Sequence, residues 1–167
     1  MTAPLVLFGV DVVDVARVTR AMSYSGPAYA RHVASPTERE LHVDPGLATA
    51  ATVAVKECLV KAVGGRPPGF SWHDFEASGE APLPGAGWAD PLLDAAVPEV
   101  EAATRVSMTE RCAYTVGGAS GSAALARLAG PREGAAVVGL ARWGFRGDLI
   151  VALAILTTTS RGALRCP

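Results

Sequence analysis

Lysine is almost missing from this sequence of 167 residues, where two lysines stand against thirteen arginines. Both lysines, Lys56 and Lys61, fall in one short segment, Val53–Gly64, on either side of Glu57. A chain that otherwise uses arginine has placed its compact, strongly hydrated ammonium groups together. Cysteine is scarce too. Cys58, Cys112 and Cys166 are odd in number, far apart and free of any C-x-x-C pattern, which argues against a disulfide framework or a zinc site and fits a reducing compartment. Net charge is only −1 at pH 7, so no global field draws the chain to nucleic acid and any anion recognition must be local. The most apolar run, Leu149–Leu156, falls well short of the about 20 residues that a membrane-spanning helix needs. The first ten residues lack a basic region and run into Asp11, which does not read as a signal peptide. A soluble, cytoplasmic protein is expected, without membrane or nucleic-acid partners.

Half of the residues are hydrophobic (50%), enough for one globular domain over 1–167 with a substantial core. Leu5–Val13 is rich in β-branched residues and reads as a buried strand, followed at once by a helical pattern over Asp14–Met22. Asp11 therefore sits where a strand ends and a helix begins. A short segment, Pro27–Val33, leads to Ser35-Pro-Thr-Glu38, in which Ser35 caps a helix, Pro36 suits its first position and Glu38 supplies the capping-box acid. Asp44-Pro-Gly46 breaks the chain, and a helix follows from about Leu47 to Val63, stopped by Gly64-Gly65 and Pro67-Pro68. On its projection Val55, Leu59, Ala62 and Val63 form one stripe. Glu57 and Lys61, spaced i,i+4, lie together on the other side with apolar neighbours, so the helix should be buried on two sides.

Phe70–Ala77 alternates as a strand, with Ser78-Gly79 as its turn. From Ala81 to Gly121 the chain is rich in glycine, proline and alanine and offers one strand, Cys112–Val116. Ser122–Ala129 reads as a short helix, and Ala135–Ala141 and Asp148–Leu156 as strands around a turn at Trp143–Gly147. The expected class is α+β, a largely antiparallel sheet packed on one long helix.

The residues now carry a family resemblance. Gly9-Val-Asp-Val-Val-Asp-Val-Ala-Arg17 resembles the opening G-[IV]-D-[IV] motif of the holo-acyl-carrier-protein synthases, the small 4'-phosphopantetheinyl transferases. Val55-Lys-Glu-Cys-Leu-Val-Lys-Ala-Val-Gly64 is similar to their K-E-A-x-x-K-A-x-G helix, and Tyr29–Glu38 to their F-x-x-R-x-L-T-x-x-E segment. Ser71-Trp-His-Asp-Phe-Glu76 resembles their S-W-x-D-I-E strand, and Ser78–Pro82 the turn beyond it. Five segments in order over the first 82 residues make the match specific.

The resemblance implies the 4'-phosphopantetheinyl transferase fold and the transfer of phosphopantetheine from coenzyme A to a serine of an acyl carrier protein, releasing 3',5'-ADP. Phosphoryl transfer depends more on charge neutralisation and positioning than on covalent chemistry by the protein, so a hard divalent cation is the expected device. Asp11 and Glu57 match the family's metal carboxylates and would hold Mg2+. Glu57, directly or through a metal-bound water, is the candidate to take the serine proton, and Lys61 to stabilise charge on the pyrophosphate. Lys56, about 100° around the helix from Glu57, is expected at another coenzyme phosphate, with Lys61, Gly64 and Arg142 as further coenzyme-binding residues. Arg17 matches the family's partner-facing position, and Arg20 follows on the same helix, both suited to an acidic carrier. The isolated His32, His42 and His73 read as surface or structural residues.

The chain also departs from the family pattern. Thr52-Val-Ala-Val-Lys-Glu57 stands where R-F-A-A-K-E is common, so one basic residue is missing. Two segments compete for the closing V-S-x-S-H strand: Val106–Glu110, with glutamate for histidine, and Val138–Arg142, with arginine. The second preserves the order of helix, strand and return strand, and leaves an insertion near 83–118. A homotrimer with sites between subunits is implied, acting in fatty-acid or polyketide synthesis. Two other readings are a transferase fold recruited to different chemistry on a carrier-bound intermediate, and a non-catalytic module that binds carrier protein or coenzyme A.

Overall fold

The computed structural model describes residues 5–128 and 134–160. Strand β1 (Leu7–Asp14) runs directly into helix α1 (Val15–Ser25), because the Asp14 carboxylate accepts from the Ala16 N–H at 2.8 Å and caps the helix. The segment after it is itself helical, α2 (Pro27–Val33), with its proline in the first turn. Ser35 and Glu38 form the expected capping box, yet the helix it opens, α3 (Pro36–Arg39), lasts a single turn. The long helix α4 (Pro45–Val63) starts on the Asp44 cap and ends at Gly64, whose φ of 100° is left-handed backbone that glycine adopts without cost.

Residues 70–77 do not run as one strand. Ser71 and Asp74 cap each other's backbone in a 3-10 turn over Trp72–Asp74, and β2 covers only Phe75–Gly79. A helix not expected from the sequence, α5 (Asp90–Thr104), follows. Then come β3 (Glu110–Val116), α6 (Gly118–Leu128), β4 (Ala135–Arg146) and β5 (Leu149–Ser160). The expected turn at Trp143–Gly147 shrinks to Gly147-Asp148, since β4 stays paired with β5 up to Arg146 opposite Leu149.

All strand pairs are antiparallel, in the order β1-β5-β4-β3-β2. Alternation along the strands separates two apolar layers. Val13, Ala141, Trp143, Ala152 and Leu156 face α4, while Leu140, Val151, Leu153 and Ile155 face Leu93 of α5. The α4 layer is packed closely enough that a Cβ on Gly9 would collide with the Cys58 carbonyl, so β1 lies against the helix backbone at that point. The stretch 83–118, read from the sequence as an insertion, includes β3, which is hydrogen-bonded between β4 and β2 inside the sheet. Only its first part, through α5, lies outside the sheet. No helix among the described residues is long and apolar enough to cross a membrane.

Candidate functional site

Gly9 and Asp11 share the β1 face that meets α4, because side chains alternate along a strand. On α4, fifteen of nineteen residues are buried, and the interruption in its second half is the strip carrying Glu57 and Lys61. The Lys61 ammonium donates to Asp11 Oδ1 at 2.6 Å and to the Val10 carbonyl at 3.1 Å. The bond to Asp11 holds the Lys61 pKa above its ordinary value. One helical turn away, Glu57 Oε1 accepts from Arg66 Nη2 at 2.9 Å. Arg66 follows the Gly64-Gly65 stop, and its guanidinium stacks over the rings of Trp72 at 4.8 Å and Phe70 at 5.3 Å. Asp11 and Glu57 retain 15% and 27% of their side-chain exposure, so both carboxylates can be reached from solvent.

A strip of two carboxylates and two cations results. Its donors toward a metal are carboxylate oxygens, which suits a hard divalent cation that keeps several waters and takes one or two protein carboxylates. Among the described residues no group of three or more His, Cys, Asp or Glu could hold a metal. Cys58, next to Glu57, is buried with its thiol toward the Ala152 carbonyl at 3.1 Å, and burial pushes its pKa up, so it offers no thiolate.

Asp11, Glu57 and Lys61 are brought together on this strip. Gly64 closes α4 one turn beyond Lys61, with Arg127 beside it donating to the Ala62 carbonyl at 2.7 Å. Arg17 and Arg20 project from α1 into solvent, and neither pairs with a carboxylate among the described residues.

Lys56 and Arg142 do not reach the strip. Lys56 is fully buried: its ammonium meets Glu38 Oε2 at 2.7 Å and donates to the Val33 and Trp72 carbonyls at 2.9 and 3.0 Å. All three of its donors are engaged, so none is available to a coenzyme phosphate. Burial lowers its pKa, and the Glu38 carboxylate opposes that shift. Arg142 lies on the opposite face of the sheet, 3% exposed, where it pairs with Asp90 and Asp94 and anchors α5. It sits between Ala141 and Trp143, which face α4, and strand alternation turns it away.

Two residues of consequence were not singled out from the sequence. Glu38 read as a capping acid, yet it also receives Lys56 and the Ala77 N–H at 3.1 Å. A lysine inside an apolar helix demands a buried carboxylate, which was the available signal. Arg66 was overlooked because Phe70 and Trp72 read as strand residues; an arginine just past a helix stop and shortly before two aromatics was its trace. His42 and His73 serve local structure, His42 Nδ1 accepting from the Asp44 N–H and His73 Nε2 meeting the Arg31 carbonyl.

No family model matches the chain. Over 68 residues it is 47% identical to the holo-[acyl-carrier-protein] synthase of Clavibacter michiganensis, covering 41% of this chain and 53% of that protein. Over 80 residues it is 35% identical to the synthase of Aliivibrio fischeri, covering 46% and 64%. Over less than half of its length the chain is similar to holo-[acyl-carrier-protein] synthases. It spans between about half and two thirds of the length of these synthases in the matched region. Solved synthases share its fold. The Helicobacter pylori synthase in complex with coenzyme A superposes with a TM-score of 0.56 at 16% identity, over 92% of this chain and all (100%) of that one. The Chronobacterium ammoniagenes synthase–coenzyme A complex gives 0.57 at 20% identity, over 93% and 98%.

Proposed function

We propose that this chain transfers the 4'-phosphopantetheine group of coenzyme A to a serine hydroxyl of an acyl carrier protein, in a Mg2+-dependent reaction that releases 3',5'-ADP. The observation that carries this reading is the Asp11–Lys61 pair one turn from Glu57, a solvent-reachable strip of carboxylates and cations where β1 meets α4. Asp11 and Glu57 would hold the Mg2+, which when bound neutralises charge on the pyrophosphate. Lys61 binds the polyphosphate beside them and stabilises the leaving phosphate. The serine oxygen forms a bond to the phosphorus of the phosphopantetheine phosphate, the bond from that phosphorus to the ADP oxygen breaks, and the serine proton passes to Glu57, directly or through a water. Arg17 and Arg20 present the positive charge an acidic carrier requires.

The same reading includes assembly of copies into a homotrimer. Its support is the apolar stripe Phe8, Val10 and Val12 on the edge strand β1, exposed at 44%, 38% and 50%. A cytoplasmic setting and a carrier of fatty-acid or polyketide synthesis complete it.

The deciding experiment is intact-mass analysis of apo carrier proteins after incubation with coenzyme A and Mg2+. One phosphopantetheine is gained per carrier, the gain disappears in Glu57→Ala, and no gain over a range of carriers refutes the transfer. The engagement of Arg142 by Asp90 and Asp94 favours a second reading, a binding module without turnover. Coenzyme or carrier binding without mass gain would select it.

A further inference from the structure

Each carboxylate of the strip is held by a cation of the chain itself, but the two cations are held differently. Lys61 is fixed by a second bond, to the Val10 carbonyl. Arg66 has one nitrogen on Glu57 and its planar face on two aromatic rings. Its side chain is 53% exposed, and it stands in a loop that begins with two left-handed glycines, Gly64 at φ 100° and Gly65 at 117°. Cation–aromatic attraction favours a guanidinium over the rings without fixing which way its N–H groups point. Arg66 therefore has unused donors in a fork that matches phosphate oxygens.

Resting on the transferase reading, we propose that Arg66 is an exchangeable cation of the site, bound to Glu57 when the site is empty and to coenzyme phosphate when it is loaded. A carboxylate that takes a divalent ion cannot keep a guanidinium on the same oxygen without like-charge repulsion. The displaced guanidinium stays over Trp72 and Phe70, next to the place where the polyphosphate gathers. Arg66 thus opposes the metal when the metal comes alone and assists it when the coenzyme is present. Linkage makes that coupling reciprocal, so the metal raises coenzyme affinity by the factor by which the coenzyme raises metal affinity.

The test needs no turnover. Mn2+ binding, followed by electron paramagnetic resonance, and coenzyme A binding, followed by calorimetry, are compared for the whole chain and for Arg66→Gln and Arg66→Lys, with circular dichroism as the folding control. Arg66→Gln is expected to tighten Mn2+ alone by roughly two- to fivefold, the scale of an exposed ion pair. It should weaken coenzyme A in the presence of metal by about tenfold or more, the scale of a charge-assisted hydrogen bond. Arg66→Lys keeps the charge without the fork and should recover part of the coenzyme affinity. The proposal is overturned if Arg66→Gln leaves both affinities unchanged, or if it weakens Mn2+ binding without coenzyme, which would make Arg66 only a positioner of Glu57. Failure of the transferase reading looks different: the unmodified chain binds neither probe, or binding is indifferent to Glu57→Gln and Asp11→Asn, and the exchange falls with it.

Discussion

Replacing Lys56 with methionine removes half of an ion pair in which both side chains are wholly inaccessible. The charge left behind on Glu38 keeps its bonds from the Ser35 and Ala77 N–H groups, at 2.9 and 3.1 Å, but loses its counter-ion. The Val33 and Trp72 carbonyls lose a donor as well. Breaking one side of a buried pair typically costs about 3–5 kcal/mol. For a domain of this size each kcal/mol lowers the melting temperature by about 2–4 °C, so a fall of roughly 6–20 °C is expected. Urea titration monitored by circular dichroism measures the free energy, and the midpoint should move without a change in slope. The double variant Lys56→Met/Glu38→Gln should recover part of the loss, because no uncompensated charge remains. A destabilisation below about 1 kcal/mol would refute the assignment of Lys56 to the core. So would unchanged stability combined with much weaker coenzyme A binding, which would mean that the ammonium reaches the ligand after all.

The scarcity of lysine makes the two ammonium groups directly observable, since a lysine-labelled sample gives one signal for Lys56 and one for Lys61 in a nuclear magnetic resonance titration. Lys61 should titrate above the ordinary 10.5 because of Asp11, and Lys56 below it because of burial. With its folded value raised, Lys61 contributes stability that is fully present below its unfolded value and lost as the pH climbs through the folded one; Lys56, with a lowered value, has the opposite sign. Asp11→Asn should return Lys61 to the ordinary range, and an inverted order of titration would contradict both assignments. Arg142→Met should loosen α5, read as faster amide hydrogen exchange over Asp90–Thr104 and a loss of about 1–3 kcal/mol, with coenzyme A affinity unchanged. Weaker coenzyme binding with α5 still protected would return Arg142 to the site.

Much of this architecture was legible because local signals and burial agree. Asp14, Asp44 and Gly64 are strong caps and stops, and each sits where its helix starts or ends. The apolar character of α4, interrupted in its second half only by charge, announced a helix packed on both sides. Helix α5 was hidden for an equally physical reason. Leu93, Ala96, Val97 and Val100 follow helical spacing and face the sheet, but Pro98 inside the helix reads as a breaker, and the helix ends on Arg105 at φ 60° where glycine would have marked the stop. At Phe70–Asp74 the alternation suggested a strand, but the mutual capping of Ser71 and Asp74 satisfies the backbone locally and competes with a ladder.

The strip itself divides along the same line. The meeting of Asp11, Glu57 and Lys61 follows from strand alternation and one helix turn, although Asp11 lies inside β1, paired with Ala152, and not at the strand's end, which is Asp14. Whether a charge is exposed or buried has no such local code. Lys56 and Glu57 are neighbours in sequence, yet one is sealed against Glu38 and the other opens to solvent, and that difference depends on where α3 and the Trp72 turn pack. Arg142 obeys the same rule, since strand alternation sets only its face of the sheet and the packing of α5 on that face brings Asp90 and Asp94 to it. Among the described residues, arginine and lysine are therefore not interchangeable positive charges in this fold. A lysine delivers three donors to one buried point beside Glu38, while an arginine offers Glu57 one edge of its fork and Trp72 its face.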